Sequence, residues 1–181
     1  MNIEKLSIEL LSTSGTDELA LTLLVGLIND VYAVAEADFW QSNYLRTTEN
    51  QVIKSIENSE IIVAKYEGVI IASVNVQSIG GRVSKFGMLA VPPKYERNGI
   101  GGRLVSAAEA HALANGSSKM RLEILTPVEG KHRGKQVLGE WYLRLGYRFI
   151  KQFPFEKHVP EEAKFLKMPC YFNIYDKELS S

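Results

Sequence analysis

The sequence predicts an α/β fold of the α+β kind, a mixed sheet covered by helices, and three observations carry that prediction. Strand-like runs alternate with helical periodicities along the whole chain. Two β-rich runs, Ile61 to Tyr66 and Val69 to Ile79, flank the tight turn Glu67-Gly68. An apolar strand ending at Val91-Pro92-Pro93 passes through a glycine-rich turn into a long alanine-rich helix. Elements alternating in this way bury their apolar faces by laying helices on a sheet.

Taken in order, Lys5 to Leu11 alternates as a first strand, and Ser12-Thr13-Ser14-Gly15-Thr16-Asp17 is a turn rich in helix-capping residues. Leu19, Leu23, Leu24, Leu27, Ile28, Val31 and Tyr32 then recur at three- and four-residue spacing, the apolar stripe of a helix that ends near Glu36. Thr48 followed by Gln51 predicts a capping box for a second helix running to about Asn58. The hairpin around Glu67-Gly68 comes next, and Gly80-Gly81 separates it from a strand over Val83 to Val91. A helix from Gly101 to Asn115 closes at Gly116. Lys119 to Leu125 reads as a strand, and Lys135 to Leu145 as a helix stopped by Gly146. Tyr147 to Phe155 and Tyr171 to Glu178 are the last strands, joined by a loop holding Pro154, Pro160 and Pro169. The predicted order is β, α, α, β, β, β, α, β, α, β, β. No repeat, low-complexity tract or linker divides the chain, so residues 1–181 read as one domain.

Composition narrows the function. A chain of 181 residues can bury one full core. Its 21 basic and 21 acidic residues leave no electrostatic footprint for nucleic acid or an anionic membrane. The single cysteine, Cys170, excludes an internal disulfide and fits a reducing compartment. Met1-Asn2-Ile3-Glu4-Lys5 lacks the basic and apolar regions of a signal peptide. The apolar patch Leu19 to Val25 is shorter than the roughly 20 residues of a membrane helix. The expectation is a soluble cytoplasmic protein. No grouping of Cys, His and carboxylate has metal-site spacing, so no metal is expected.

The glycine-rich turn carries the strongest chemical signal. Gly99, Gly101 and Gly102 let backbone approach a ligand without a Cβ in the way, and the first turn of the following helix leaves N–H groups unpaired at the positive end of its dipole. That is a cradle for phosphate or pyrophosphate. It lacks the Gly-Lys-Ser/Thr ending of an NTPase P-loop, and its spacing is not Gly-x-Gly-x-x-Gly. Close packing of helix on sheet is the other reading of such a turn.

Val91-Pro92-Pro93 followed by Glu96-Arg97-Asn98-Gly99-Ile100-Gly101 resembles the GNAT superfamily of N-acetyltransferases, whose signature is Arg/Gln-x-x-Gly-x-Gly/Ala after a Val-x-Pro strand end. Downstream, Trp141-Tyr142-Leu143-Arg144-Leu145-Gly146-Tyr147 resembles the family's Phe-Tyr-x-x-x-Gly-Phe segment, and the match is strongest from about Ile61 to Phe149. Three departures stand out. Glu96 takes the place of the usual Arg or Gln, Lys135 that of an Asn seven residues before Tyr142, and the stretch Thr126 to Gly134 is longer than the family's loop.

The resemblance implies a mixed, mostly antiparallel central sheet, flanked by helices, with a splay between the strand ending at Val91 and the one beginning near Lys119. It places the pantetheine arm of acetyl-CoA in that splay, held by main-chain groups of Leu89 and Val91, with Arg97, Asn98, Gly99, Ile100, Gly101 and Gly102 around the pyrophosphate. It gives Tyr142 the role of protonating the departing thiolate. With a thiol pKa near 8.5 and a phenol near 10, that transfer is uphill by roughly 2 kcal/mol, so positioning the sulfur is the other reading of Tyr142. The acceptor is an amine, and presenting a lysine-like amine as free base at pH 7 costs roughly 4.6 kcal/mol. Glu123 is the candidate base or water-ordering group, while strand alternation also allows it to face solvent.

The acceptor pocket implied by the resemblance draws on Tyr32, Glu36, Phe39, Trp40 and Arg46, and later on Phe153, Phe155 and Glu156. A glutamate among aromatics would receive a cationic amine; the same rings also read as caps on the core. His132, between Lys131 and Arg133, reads as part of a solvated basic loop, with a place near the acceptor as the other reading, and Cys170 as buried filler. The reading is acetyl transfer from acetyl-CoA to the primary amine of a small molecule by direct attack in a ternary complex. A noncatalytic acyl-CoA-binding module and a protein lysine or N-terminal acetyltransferase are the alternatives. The resemblance also implies a homodimer paired through late strands.

Overall fold

The computed structural model describes residues 3–180. Met1 and Asn2, the start of the segment read as lacking a leader, lie outside them. Seven strands form one sheet in the order β1-β2-β3-β4-β5-β7-β6. The strands are β1 Leu6–Leu10, β2 Ile61–Tyr66, β3 Val69–Ser78, β4 Val83–Ala90, β5 Lys119–Pro127, β6 Arg148–Pro154 and β7 Cys170–Glu178. Four longer helices flank it: α1 Glu18–Ala35, α2 Glu49–Glu57, α3 Ile100–Ala114 and α4 Arg133–Arg144. The predicted order and the mixed, mostly antiparallel sheet are both observed, since only β4 and β5 pair in parallel.

Local chemistry starts the elements where the sequence does. Asp17 accepts a hydrogen bond from the Ala20 N–H at 2.7 Å, capping α1. Thr48 and Gln51 form the expected reciprocal capping box on α2. At the β2–β3 turn both Glu67 and Gly68 have positive φ, 51° and 82°, the twist that a tight hairpin needs.

Two boundaries differ from expectation for a physical reason. Gly99, at φ 76°, caps α3, which therefore begins at Ile100. The Nδ1 of His132 accepts from the Lys135 N–H at 3.2 Å and so starts α4 two residues early, at Arg133. His132 is thus a helix cap rather than a solvated loop residue; its ring lies 4.9 Å from that of Phe39, and Nε2 is 3.3 Å from an Asp38 oxygen. The proline-containing loop before β7 holds two single helical turns, Phe155–His158 and Pro160–Ala163.

Because both faces of the sheet are covered, β2 is apolar at consecutive positions. Ile62 and Ala64 face the cluster built on α3, with Leu104, Val105 and Ala108, whereas Ile61 and Val63 face α1 and α2, with Leu24, Ile28, Val52 and Ile56. α1 has a mean hydropathy of 1.6 over 18 residues, long and apolar enough by composition to cross a membrane, which the shorter patch Leu19 to Val25 did not reveal. In this fold Leu24 and Ile28 pack it on the sheet. A third cluster of Phe39, Trp40, Leu125, Phe155 and Cys170 closes the end of the sheet beyond α1.

The sheet is interrupted at its centre. β4 and β5 pair only from Val83↔Lys119 to Lys85↔Arg121. On its other edge β4 carries an extra residue, because Asn75 pairs with Gly87 but Ser73 with Ala90, and Met88 sits in the bulge at φ 47°. Beyond Lys85 the two strands diverge, so residues 86–90 have no ladder partner toward β5.

Candidate active site

A cavity of about 640 Å³ occupies this splay. One wall is Phe86, Gly87 and Leu89 of β4; the other is Leu122 to Leu125 of β5; Trp141 and Tyr142 of α4 line it too, as do Tyr32 of α1 and Glu36, which caps that helix. Val91, Arg97, Gly99, Ile100, Gly101, Gly102 and Glu123 also line it. Of the expected cofactor and catalytic residues all but Asn98 line this cavity; of the expected acceptor residues Tyr32 and Glu36 do, whereas Phe39, Trp40, Arg46, Phe153, Phe155 and Glu156 do not. Asn98 turns its amide back onto the carbonyls of Tyr95 and Glu96, at 3.2 and 3.0 Å, fixing the turn instead of facing the cavity. Trp40 lies in an adjoining pocket.

At the cavity mouth, the first α3 turn has donors to spare. Its first backbone bond runs from the Arg103 N–H to the Gly99 carbonyl at 3.1 Å, leaving the N–H groups of Ile100, Gly101 and Gly102 outside the helical ladder. A Cβ at Gly101 would stand 3.6 Å from the Trp141 ring, whereas none at Gly99 or Gly102 would meet anything within 4 Å. The space over those two glycines is open for a ligand. Glu96 is exposed and lines this mouth together with the exposed cations Arg97 and Arg144.

Tyr142 is 5% exposed, and its hydroxyl has no hydrogen-bond partner among the described residues. Its ring is held by Phe86, Trp141 and Tyr147. Burial, with a smaller contribution from Tyr32, pushes the phenol well above its ordinary pKa, so it stays protonated. Tyr147 differs: its hydroxyl donates to Glu109 at 2.7 Å and is committed to structure.

Glu123 is half-buried, and Lys85 Nζ donates to its Oε2 at 3.2 Å, a tie between β4 and β5 just where they part. Glu36 is 7% exposed and fully engaged: Lys135 pairs with Oε1, and Trp40 Nε1 donates to Oε2 at 2.7 Å. Burial pushes its pKa up, but Lys135, Arg46 and the two hydrogen bonds outweigh this and hold the carboxyl below the usual range. Lys135, the residue in the family's Asn position, is thus a buried counter-ion, 8% exposed.

The adjoining pocket, about 270 Å³, shares Tyr32 and Glu36 with the main cavity and is completed by Trp40, Tyr44, Arg46 and Lys167. Trp40 and Tyr44 stack with ring centroids 3.9 Å apart. The Arg46 guanidinium lies 4.9 Å over the Tyr32 ring, and its buried Nε has no partner. An unsatisfied buried donor of this kind costs about 1–3 kcal/mol. The Tyr32 hydroxyl, desolvated by burial, is pushed up to about 12. Of the other aromatics, Phe39 and Phe155 are wholly buried core, as is Cys170, whose thiol burial pushes up to about 11. Sequence reading did not assign Arg144 or Trp141 to the site, although both lie within the Trp141-to-Tyr147 motif. Among the described residues no cluster of three His, Cys, Asp or Glu could hold a metal ion.

Residues 28–133 match the model of the acetyltransferase (GNAT) family. No curated protein sequence matches significantly. Solved structures with the same fold include the PaiA N-acetyltransferase of Thermoplasma acidophilum in complex with coenzyme A, at 17% identity and TM-score 0.70 over 96% of this chain and 98% of that one. An N-acetyltransferase of Staphylococcus aureus Mu50 superposes at 14% identity and TM-score 0.69, over 97% of this chain and 99% of that one. An aminoglycoside 6'-N-acetyltransferase complexed with coenzyme A does so at 16% identity and TM-score 0.69, over 97% and 98%. At such identities the likeness is one of fold, and the acceptor must be argued from the site.

Proposed function

The chain belongs to the GNAT family of acetyltransferases, and from that premise we propose that it moves an acetyl group from acetyl-CoA to the primary amine of a small molecule by direct attack in a ternary complex. The observation that carries this reading is the hydroxyl of the buried Tyr142, unpartnered among the described residues, at a cavity opened by the parting of β4 and β5.

Acetyl-CoA supplies an activated thioester; the protein orients it and manages protons. The free N–H groups at Ile100, Gly101 and Gly102 suit the pyrophosphate, and the unpaired edge of β4 at Leu89 suits the pantetheine amides. The acceptor nitrogen attacks the carbonyl carbon, the C–S bond breaks, and the electron pair leaves on sulfur. Tyr142 donates its O–H toward that sulfur. Burial raises the phenol, yet the same dry site raises the thiol too, so the mismatch between them does not grow in proportion. Before that attack the ammonium loses a proton through Glu123, directly or through a water, which frees the nitrogen lone pair, with Lys85 holding the carboxylate at the splay; the second N–H proton, shed as the amide forms, balances the one that Tyr142 passes to the thiolate. A pocket of about 270 Å³ behind Tyr32 and Glu36 suits a small acceptor rather than a polypeptide.

Release of CoA from acetyl-CoA across a panel of amino acids, polyamines, aminoglycosides, arylamines and peptides tests this. Amine-dependent release is expected, with kcat lowered about 10²-fold in Tyr142→Phe and acetyl-CoA affinity retained. Because Tyr142 stays protonated, no alkaline loss of rate is expected from it below pH about 10. Full turnover by Tyr142→Phe would remove its assigned role; release with peptides alone would remove the small-molecule acceptor.

A further inference from the structure

We propose that the acceptor carries a carboxylate as well as its amine, and that Arg46 is the residue that binds it. This rests on the acetyl-transfer reading of the adjoining splay and names the acceptor class for that site.

The charge balance of the pocket carries the inference. The carboxylate that could attract a cationic amine, Glu36, is already held by Lys135 and by the Trp40 indole. Two cations line the pocket without an ion pair among the described residues: Arg46, and Lys167, whose ammonium donates to the Ala37 carbonyl at 2.8 Å. The remaining nearby carboxylate, Glu162, accepts from the Tyr44 hydroxyl at 2.7 Å. Glu36 and Glu162 both attract Arg46 without forming an ion pair with it, and the Tyr32 and Tyr44 oxygens lie close enough to attract it as well. Lys135 neutralises Glu36 and Glu162 does not line the pocket, so the two lining cations, Arg46 and Lys167, present positive charge to whatever enters.

Its geometry suits a planar anion. The Arg46 guanidinium carbon lies 4.9 Å from the centroid of the Tyr32 ring, and a guanidinium presents its N–H donors in a planar fork that matches a carboxylate. Tyr32 and Glu36 line both cavities, so an acceptor anchored at Arg46 extends past them toward the splay and its Tyr142 hydroxyl. Burial alone would lower the guanidinium's hold on its proton, but the surrounding oxygens raise it, so Arg46 stays charged.

The test uses the protein saturated with CoA, titrated calorimetrically with glycine, phenylalanine, methionine and glutamate, each beside its carboxamide and its decarboxylated amine. At least one carboxylate is expected to bind about ten- to hundredfold tighter than its carboxamide. Arg46→Gln should abolish that preference, Arg46→Lys should keep part of it, and both variants should bind CoA like the parent. In turnover, Arg46→Gln should raise the acceptor KM by a similar factor and leave kcat nearly unchanged. Carboxylate preference lost in Arg46→Gln but without acetyl transfer would sustain the anion pocket and overturn the enzymatic reading. Turnover of acceptors lacking a carboxylate, indifferent to Arg46→Gln, would overturn the anion pocket and leave the enzyme standing; binding of neither series would also overturn the pocket.

Discussion

Removing Lys135 would leave the Glu36 carboxylate buried without its counter-charge, and at 7% and 8% exposure neither partner can turn to water instead. Lys135→Met is expected to cost about 3–5 kcal/mol in urea unfolding, and Glu36→Gln with Lys135→Met to recover most of it, because the desolvation penalty leaves with the charges. The sign with pH follows from Glu36. Its folded pKa is depressed, so its contribution is present above the unfolded value of about 4.3 and is lost as pH falls through the folded value. Stability should fall more steeply below pH about 4.3 in the parent than in the double variant. A single Lys135→Met as stable as the parent would mean that the pair is not charged. Residue roles were unevenly legible in the sequence. Tyr142 and Gly99 sit in contiguous motifs, and both line the cavity that those motifs led one to expect. Lys135 showed only as a departure from a pattern, since its partner lies 99 positions away and no local periodicity links them. Arg46 was named as one member of the acceptor region, but its unpaired charge emerges only once the loop after α1 is folded against Tyr32.

At the scale of elements, α3 separates folding from binding within three residues. Gly102 lies inside the first helical turn, and a methyl group added there would meet nothing within 4 Å, so Gly102→Ala should stabilise the free protein by about 0.5–1 kcal/mol through reduced unfolded-state entropy. The same methyl stands beside the spare N–H donors and should weaken acetyl-CoA binding. Gly99 at φ 76° is different: Gly99→Ala should destabilise by about 1–2 kcal/mol, since an L side chain is strained there, and weaken binding as well. Thermal melts and acetyl-CoA titrations of the two variants check this; unchanged affinity in both would mean that the cradle holds no anion. The caps, hairpin and helix stripes were legible because each is a short-range pattern. The bulge was not. Met88 adopts φ 47° although its sequence neighbour is the glycine, and what places it is the offset between the Asn75↔Gly87 and Ser73↔Ala90 pairs, a cross-strand property.

For the molecule as a whole, the sheet consists of two well-paired parts held together weakly along its middle. β5 and β7 pair over nine residues, and the Arg121 guanidinium locks their register through two bonds to Asp176, at 2.7 and 2.8 Å. β4 and β5 share only three pairs, so the parts meet mainly through α3, α4 and the Lys85–Glu123 contact. A ligand lying in the splay would supply the missing hydrogen bonds on the open edge of β4 and so join the parts. At about 100 times its Kd, acetyl-CoA should raise global stability by about 2.7 kcal/mol. Amide exchange distinguishes this bridging from uniform stabilisation, since local opening at the splay need not unfold β1–β3 or β7. Under conditions where local opening dominates, slowing is expected first at residues 86–91 and 100–102, while amides already paired within β2–β3 and β5–β7 change little. Equal slowing everywhere would mean that the ligand stabilises only the global fold, and slowing confined to β6 and β7 would place it outside the splay altogether.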